Sequence, residues 1–334
     1  MKRLALLLAG GAVWLLLAAA PVFADNGPHH QGASPVTDGC SGCHRAHTGQ
    51  ASNLLASSSQ TSLCYTCHGS TGTGATTDVQ DGVQYAPVNA SQVGTTTRTG
   101  SGLTFAGGLR GGGFDNSVID TAMSGPLSTG ANAGKIGYLS TFVATTSKHN
   151  VDAMGMAWGM GAISGTPVPG TSISLTCASC HDPHGNGQYR ILKPQPRTPG
   201  PIIAIGDVTS YVYTTSDYWH PEDSTAGGTA YIANVSAWCA SCHTRYLAPA
   251  GSATVASGDA IFTYRHESNG TTFVGDASGP TPTCVQCHVS HGSSAAMGTN
   301  SQAEPLPGDT VGRGADSNLL RIDNRGVCEK CHNK

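Results

Sequence analysis

Charge is scarce in this 334-residue chain: only 11% of residues are Asp, Glu, Lys or Arg, and the formal net charge is −3. With no basic run, it lacks the electrostatic footprint of a nucleic-acid binder. Aromatic residues are thin as well, at 6%. Beyond the first two dozen residues no apolar stretch approaches the length of about 20 that a membrane-spanning helix takes. Nor is any cysteine spare, because all twelve fall into six pairs of the same spacing and no thiol is left for a structural disulfide. What the chain has in excess is glycine, 45 residues, with abundant Ser and Thr. A chain of this composition struggles to offset its conformational entropy by burying side chains. Either it is largely disordered, or something other than side chains supplies the core.

Residues 1–24 read as a secretion signal that is expected to be removed. Lys2 and Arg3 form a basic start, residues 4 to 20 are apolar and small, and Val22-Phe23-Ala24 suits cleavage before Asp25. No cysteine precedes Cys40 to carry a lipid there. The expectation is a secreted protein at the outer surface or beyond it, with the periplasm as the alternative. Residues 25–334 are expected to form a single domain.

The twelve cysteines lie in six Cys-x-x-Cys-His pentads: Cys40, Cys43 and His44; Cys64, Cys67 and His68; Cys177, Cys180 and His181; Cys239, Cys242 and His243; Cys284, Cys287 and His288; Cys328, Cys331 and His332. Two cysteines closing on a histidine is the attachment signature of a c-type haem. The thiols become thioethers on the porphyrin, and the adjacent imidazole ligates the iron. Six covalent haem c groups would supply the missing core, with about 52 residues of the mature chain wrapped around each. Zinc sites combine ligands across cysteine pairs and do not require a histidine after every second cysteine. Iron–sulfur clusters would not demand the six histidines.

The first, third and fifth pentads carry a further histidine three residues on: His47, His184 and His291. The first and third pairs of pentads also share Ser-Asn-Leu-Leu, at 52–55 and 317–320. Three haem-pair modules are therefore expected, over 40–68, 177–243 and 284–332. Between the first two lies a Gly-, Thr- and Ser-rich stretch, 69–176, readable as a linker. Tyr85, Phe105, Phe114, Tyr138 and Phe142 favour loops packed over haem faces instead. Ser210-Tyr211-Val212-Tyr213 and Ile261-Phe262-Thr263-Tyr264 suit short strands. The predicted fold is a mostly irregular multihaem cytochrome c: coil with short helices and few short strands wrapped around a haem stack.

The second axial ligand decides function. Histidine at both positions gives a closed, low-potential electron carrier, whereas an open position admits small-molecule chemistry. Eight histidines lie outside the pentads, His29, His30, His47, His149, His184, His220, His266 and His291, and six suffice to close every iron. Met154, Met156 and Met160 follow His149 and are read as packing against a porphyrin. His47, His184 and His291 sit on the proximal side of their own haems, so the iron each can reach belongs to another haem. That spacing forces haems into close neighbourhood.

The motif order, Cys40–His47, Cys64–His68, Ser147-Lys148-His149-Asn150, Cys177–Gly185, Cys239–Thr244, Tyr264-Arg265-His266, Cys284–Gly292 and Cys328–Lys334, resembles the OmcS-like family of polymerising hexahaem c-type cytochromes, the Geobacter-type extracellular nanowires. Gly27-Pro28-His29 looks like that family's N-terminal ligand segment. The resemblance implies distal roles for His29, His47, His149, His184, His266 and His291, with His220 and His30 in reserve. It also implies that His47 ligates the haem of His288 in a neighbouring subunit, giving a head-to-tail homopolymer. Other c-type cytochromes and extracellular electron acceptors are the remaining expected partners. Two further readings stay open: a non-polymerising shuttle with the same haems, and a multihaem oxidoreductase. The last would need an open iron, often marked by lysine in place of a motif histidine, and all six motifs keep histidine.

Overall fold

The structure is a computed structural model, and it describes residues 29, 39–72, 75–87, 97–98, 103–109, 111–119, 138–157, 171–205, 228–244, 284–295 and 319–321. The runs at 210–213 and 261–264 lie outside the described residues, as do His30, His220, His266, Cys328, Cys331 and His332.

Five pentads are described, and each begins on a helical turn. The first starts within the 3-10 turn Gly39–Gly42, the second ends helix α1 (Gln60–His68), and the third opens with α2 (Cys177–Cys180). The fourth begins in α3 (Gly228–Ala240) and the fifth in α4 (Cys284–Cys287). In four of them the pentad histidine donates its backbone N–H one turn back to the first cysteine: His44 to Cys40 (2.8 Å), His181 to Cys177 (3.0 Å), His243 to Cys239 (3.1 Å) and His288 to Cys284 (2.9 Å). Residues one turn apart share a helix face, so a cysteine and the histidine rise on the same side. Ser59 caps α1, its Oγ accepting the N–H of Ser62 at 3.0 Å.

The stretch 69–176 carries β1–β9 rather than a featureless linker. Strands β1 (Thr77–Asp78), β2 (Val83–Pro87), β3 (Thr97–Arg98) and β4 (Leu103–Gly108) form an antiparallel sheet in the order β1-β2-β4-β3. Strand β5 (Asn116–Ile119) pairs with β6 (Tyr138–Ala144), and β8 (Ala153–Ala157) with β9 (Thr171–Leu175). Strand β7 (Ser147–Lys148) pairs instead with the distant β10 (Gly292–Ser293). Local turn chemistry starts the sheet: Oδ1 of Asp78 accepts the N–H groups of Gln80 and Asp81, and Gly82 takes φ 67° before β2. Tyr85 is buried with Val83 and Val118, and Phe114 is buried against His291. Phe142 and Met154 stand exposed.

A second small cluster joins Ile205 to Val235 of α3, with Tyr189, Leu192, Trp238 and Val285 packed beside it. Trp238 donates from Nε1 to the Lys193 carbonyl at 2.7 Å, which holds the 186–205 loop on α3. Each buried aliphatic side chain contributes about 1.5–3 kcal/mol, while ordering costs about 1–2 kcal/mol per residue. Among the described residues, clusters this small do not carry a domain by themselves. Among the described residues no helix is long and apolar enough to cross a membrane.

The pentad helices meet across the expected modules. The N–H of Ala178 in α2 donates to Oε1 of Gln60 in α1 (3.2 Å), and that of Cys284 in α4 to Oγ of Ser236 in α3 (3.2 Å). Pentad two therefore abuts pentad three, and pentad four abuts pentad five.

Candidate haem-binding site

Among the described residues, histidine rings face one another in four pairs. His44 lies 6.3 Å from His184 between ring centres, with planes 10° apart, and His68 lies 6.0 Å from His29, at 16°. His181 lies 6.3 Å from His291, at 57°, and His243 lies 6.4 Å from His149, at 54°. Each pair joins one pentad histidine to one histidine from outside the pentads. His47 is exposed, and among the described residues its ring faces no other histidine.

These separations test whether a metal fits between the rings. With metal–imidazole bonds of about 2.0 Å and ring centres about 1.1 Å beyond each nitrogen, two imidazoles on one metal stand about 6 Å apart. All four pairs meet that spacing. Among the described residues no group of three or more His, Cys, Asp or Glu converges on a point, as a zinc cage would require. The residues present fit a metal held between two histidines, beside two cysteines of the same pentad.

The rings are oriented from behind. Nδ1 of His44 lies 2.8 Å from the Asn53 carbonyl, Nδ1 of His181 2.9 Å from that of Arg190, and Nδ1 of His149 2.6 Å from that of Ser290. Nδ1 of His29 lies 2.7 Å from the Pro183 carbonyl, and Nδ1 of His291 3.2 Å from that of Gly112. A carbonyl only accepts, so each Nδ1 carries the proton and each Nε2 is left to ligate. Nδ1 of His184 has the Asp182 carboxylate 3.6 Å away. Burial lowers the pKa of His149 and His181. His291 is brought down to about 3, by burial first and by neighbouring His181 next. The neutral imidazole is the form that binds a metal.

The acceptors behind His44 and His181 come from one recurring clip, which the repeated Ser-Asn-Leu-Leu only half reveals. Asn53 and Leu54 take φ 60° and 58°, Arg190 and Ile191 take 51° and 52°, and Leu319 takes 60°. The leucine that closes each turn bridges back to the pentad histidine: Leu55 to His44, Leu192 to His181, Leu320 to His288. Three matching N–H bonds of 2.7 Å run from Arg45 to Leu54, Asp182 to Ile191 and Val289 to Leu319. The middle copy, Tyr189-Arg190-Ile191-Leu192, keeps only the closing leucine of the motif. Its placement eleven residues after the histidine, as in the first copy, is the signal that could have found it. A left-handed β-branched residue such as Ile191 is costly, and such strain gathers where geometry serves a site.

The cysteines sit in register with this plan. Cys64 lies beside Cys177, whose Sγ is 3.6 Å from Oγ1 of Thr61, and Cys239 lies beside Cys284; each thiol perturbs its neighbour. The thiol–thiol proximity lowers Cys177 and Cys284 to about 7 each and raises Cys64 and Cys239, whose burial adds to the rise. Burial pushes Cys180 up to about 12.

Comparison with known proteins agrees on the chemistry of one part of the chain. Residues 34–73 match the doubled CXXCH motif family. That pattern indicates a multihaem c-type cytochrome, with covalently bound haem c and a role in electron transfer. No curated protein and no solved structure matches the chain.

Proposed function

We propose that this chain carries electrons outside the cell along six haem c groups, each held between two histidines, and that copies join head to tail into a filament. The ligand pairs are His44 with His184, His68 with His29, His181 with His291, and His243 with His149. Haem supplies a one-electron ferric–ferrous couple, and two histidines per iron keep it low in potential and closed to small molecules. The chain orients the imidazoles through their Nδ1 acceptors and sets pentad two against pentad three and pentad four against pentad five.

The observation that carries the polymer is a register. His184, beyond the third pentad, faces the histidine of the first, and His291, beyond the fifth, faces that of the third. Each extra histidine thus serves the odd pentad before its own. One more step of the same register brings His47 of one copy to the fifth pentad, His288, of another. The even pentads follow a parallel order, in which His29 precedes the first pentad and His149 the third. His266, which precedes the fifth, takes the iron of His332, while His220 and His30 stand outside this order.

Electron microscopy of the secreted holoprotein should show filaments. A fully loaded protein that stays monomeric at high concentration with every iron low-spin would sink the polymer and leave a soluble shuttle. A high-spin signal in the assembled ferric protein would favour an enzyme with an open iron.

The ring angles make a separate prediction. Parallel imidazole planes split the two iron orbitals that bond to them, and tilted planes leave those orbitals closer in energy. Ferric electron paramagnetic resonance should therefore resolve two low-spin classes, one from the 10° and 16° pairs and one from the 54° and 57° pairs. A single uniform class would contradict the geometry.

A further inference from the structure

Of the Nδ1 hydrogen bonds behind the facing rings, those of His29, His44, His149, His181 and His291 end on backbone carbonyls. His68 differs: its Nδ1 lies 2.7 Å from a side-chain oxygen, Oγ1 of Thr77. The hydroxyl is placed by backbone on both sides. Thr77 pairs with Gln84 in the β1–β2 ladder, and two residues on, the N–H of Val79 donates back to the His68 carbonyl at 2.7 Å. A short strand thus brings one exchangeable side chain behind one imidazole.

We infer that Thr77 is a positioning residue that sets the reduction potential of the iron held by His68. The inference rests on the proposed ligation by His68 and His29. With Nε2 on the iron, Nδ1 keeps its proton and donates, so the Thr77 hydroxyl accepts. A hydroxyl is a weaker acceptor than a peptide carbonyl, and it withdraws less of that proton. The imidazole behind it pushes less negative charge toward the metal, and the ferric state is less favoured. The His68 iron therefore lies higher in potential than a geometrically similar iron whose imidazoles both donate to carbonyls. Because the tuning group is a side chain, substitution can move this potential in either direction without rebuilding the backbone.

Spectroelectrochemistry of the holoprotein tests this. Thr77→Val removes the acceptor and is expected to move one redox wave upward, leaving the others in place. Thr77→Asp supplies an anionic acceptor and is expected to move the same wave downward. Thr77→Ser keeps the hydroxyl and the wild-type wave. If the valine variant fails to load haem, the aspartate and serine variants carry the comparison. The ligation itself is checked by His29→Ala combined with His30→Ala, so that the neighbouring imidazole does not substitute; one haem should turn high-spin. If every haem stays low-spin there, the ligation reading has failed and the inference falls with it. If that variant behaves as expected while the Thr77→Asp wave, or the Thr77→Val wave, stays at the wild-type position, or the two shift in the same direction, the inference is overturned and the ligation stands.

Discussion

Replacing His47 with alanine is expected to abolish filaments while leaving a folded, haem-loaded subunit. His47 is exposed, and removing an exposed side chain away from the packed core costs the fold within about 0.5 kcal/mol. The thermal midpoint of the isolated subunit should therefore hold. What changes is the iron at the fifth pentad, which in the proposed register takes its second ligand from His47 of another copy. One haem in six should turn high-spin, and the protein should sediment as a monomer. Added imidazole should restore the low-spin spectrum without restoring filaments, because a free ligand closes the iron but tethers nothing. Filaments that persist in His47→Ala, or a monomeric wild type already fully low-spin, would refute the register. The neighbouring residues sharpen the contrast. Two residues before the extra histidines stand Arg45, Asp182 and Val289 respectively, so the candidate contact segment alone carries a cation at that place.

Gly112→Ala is expected to be strongly destabilising. Gly112 takes φ 71°, where an L side chain is strained, and a Cβ there would run into the carbonyl oxygen of Gly292. Both partners are backbone, so neither yields by rotating a side chain. A cost of about 3 kcal/mol or more follows from strain and overlap together. The consequence reaches a proposed metal ligand. The Gly112 carbonyl accepts from Nδ1 of His291, the Gly111 carbonyl accepts the His291 N–H at 2.6 Å, and Phe114 stacks on the ring at 4.7 Å. Pushing this loop away releases His291 from its orientation toward His181. Expected results are a lowered thermal midpoint and a high-spin fraction at the third pentad. Gly187→Ala is the control. Gly187 shares the left-handed backbone, φ 69°, but a Cβ there meets nothing within 4 Å, so it should cost only about 1 kcal/mol. If the two variants melt alike, the close approach at Gly292 carries no weight.

The Gly111-Gly112-Gly113 run shows how a local reading differs from a tertiary one. By composition it belongs to a linker. In the fold its lack of Cβ atoms lets three strands of chain meet, from 80–82, 111–113 and 292, and the 111–114 segment becomes the back wall of His291. A glycine required by a neighbour 180 residues away leaves no mark on its own surroundings in the sequence. The clip at Tyr189–Ile191 was hidden for a related reason. Its carbonyl and left-handed turn are backbone features, and backbone geometry tolerates the change from Ser-Asn-Leu to Tyr-Arg-Ile once the closing leucine is anchored.

The sequence by itself indicated the chemistry: two cysteines and a histidine in five residues, a pattern present six times, form an attachment signature that no fold has to supply. It also predicted that His47, His184 and His291 lie too near their own pentads to serve them, and the structure turns His184 and His291 toward the first and third pentads. The tertiary structure alone decided which histidine faces which pentad. His149 meets His243 across 94 positions because β7 and β10 pair and the Ser290 carbonyl holds its ring. Such pairings depend on backbone hydrogen bonds between distant segments, and the two ends of a backbone hydrogen bond are chemically the same at every residue.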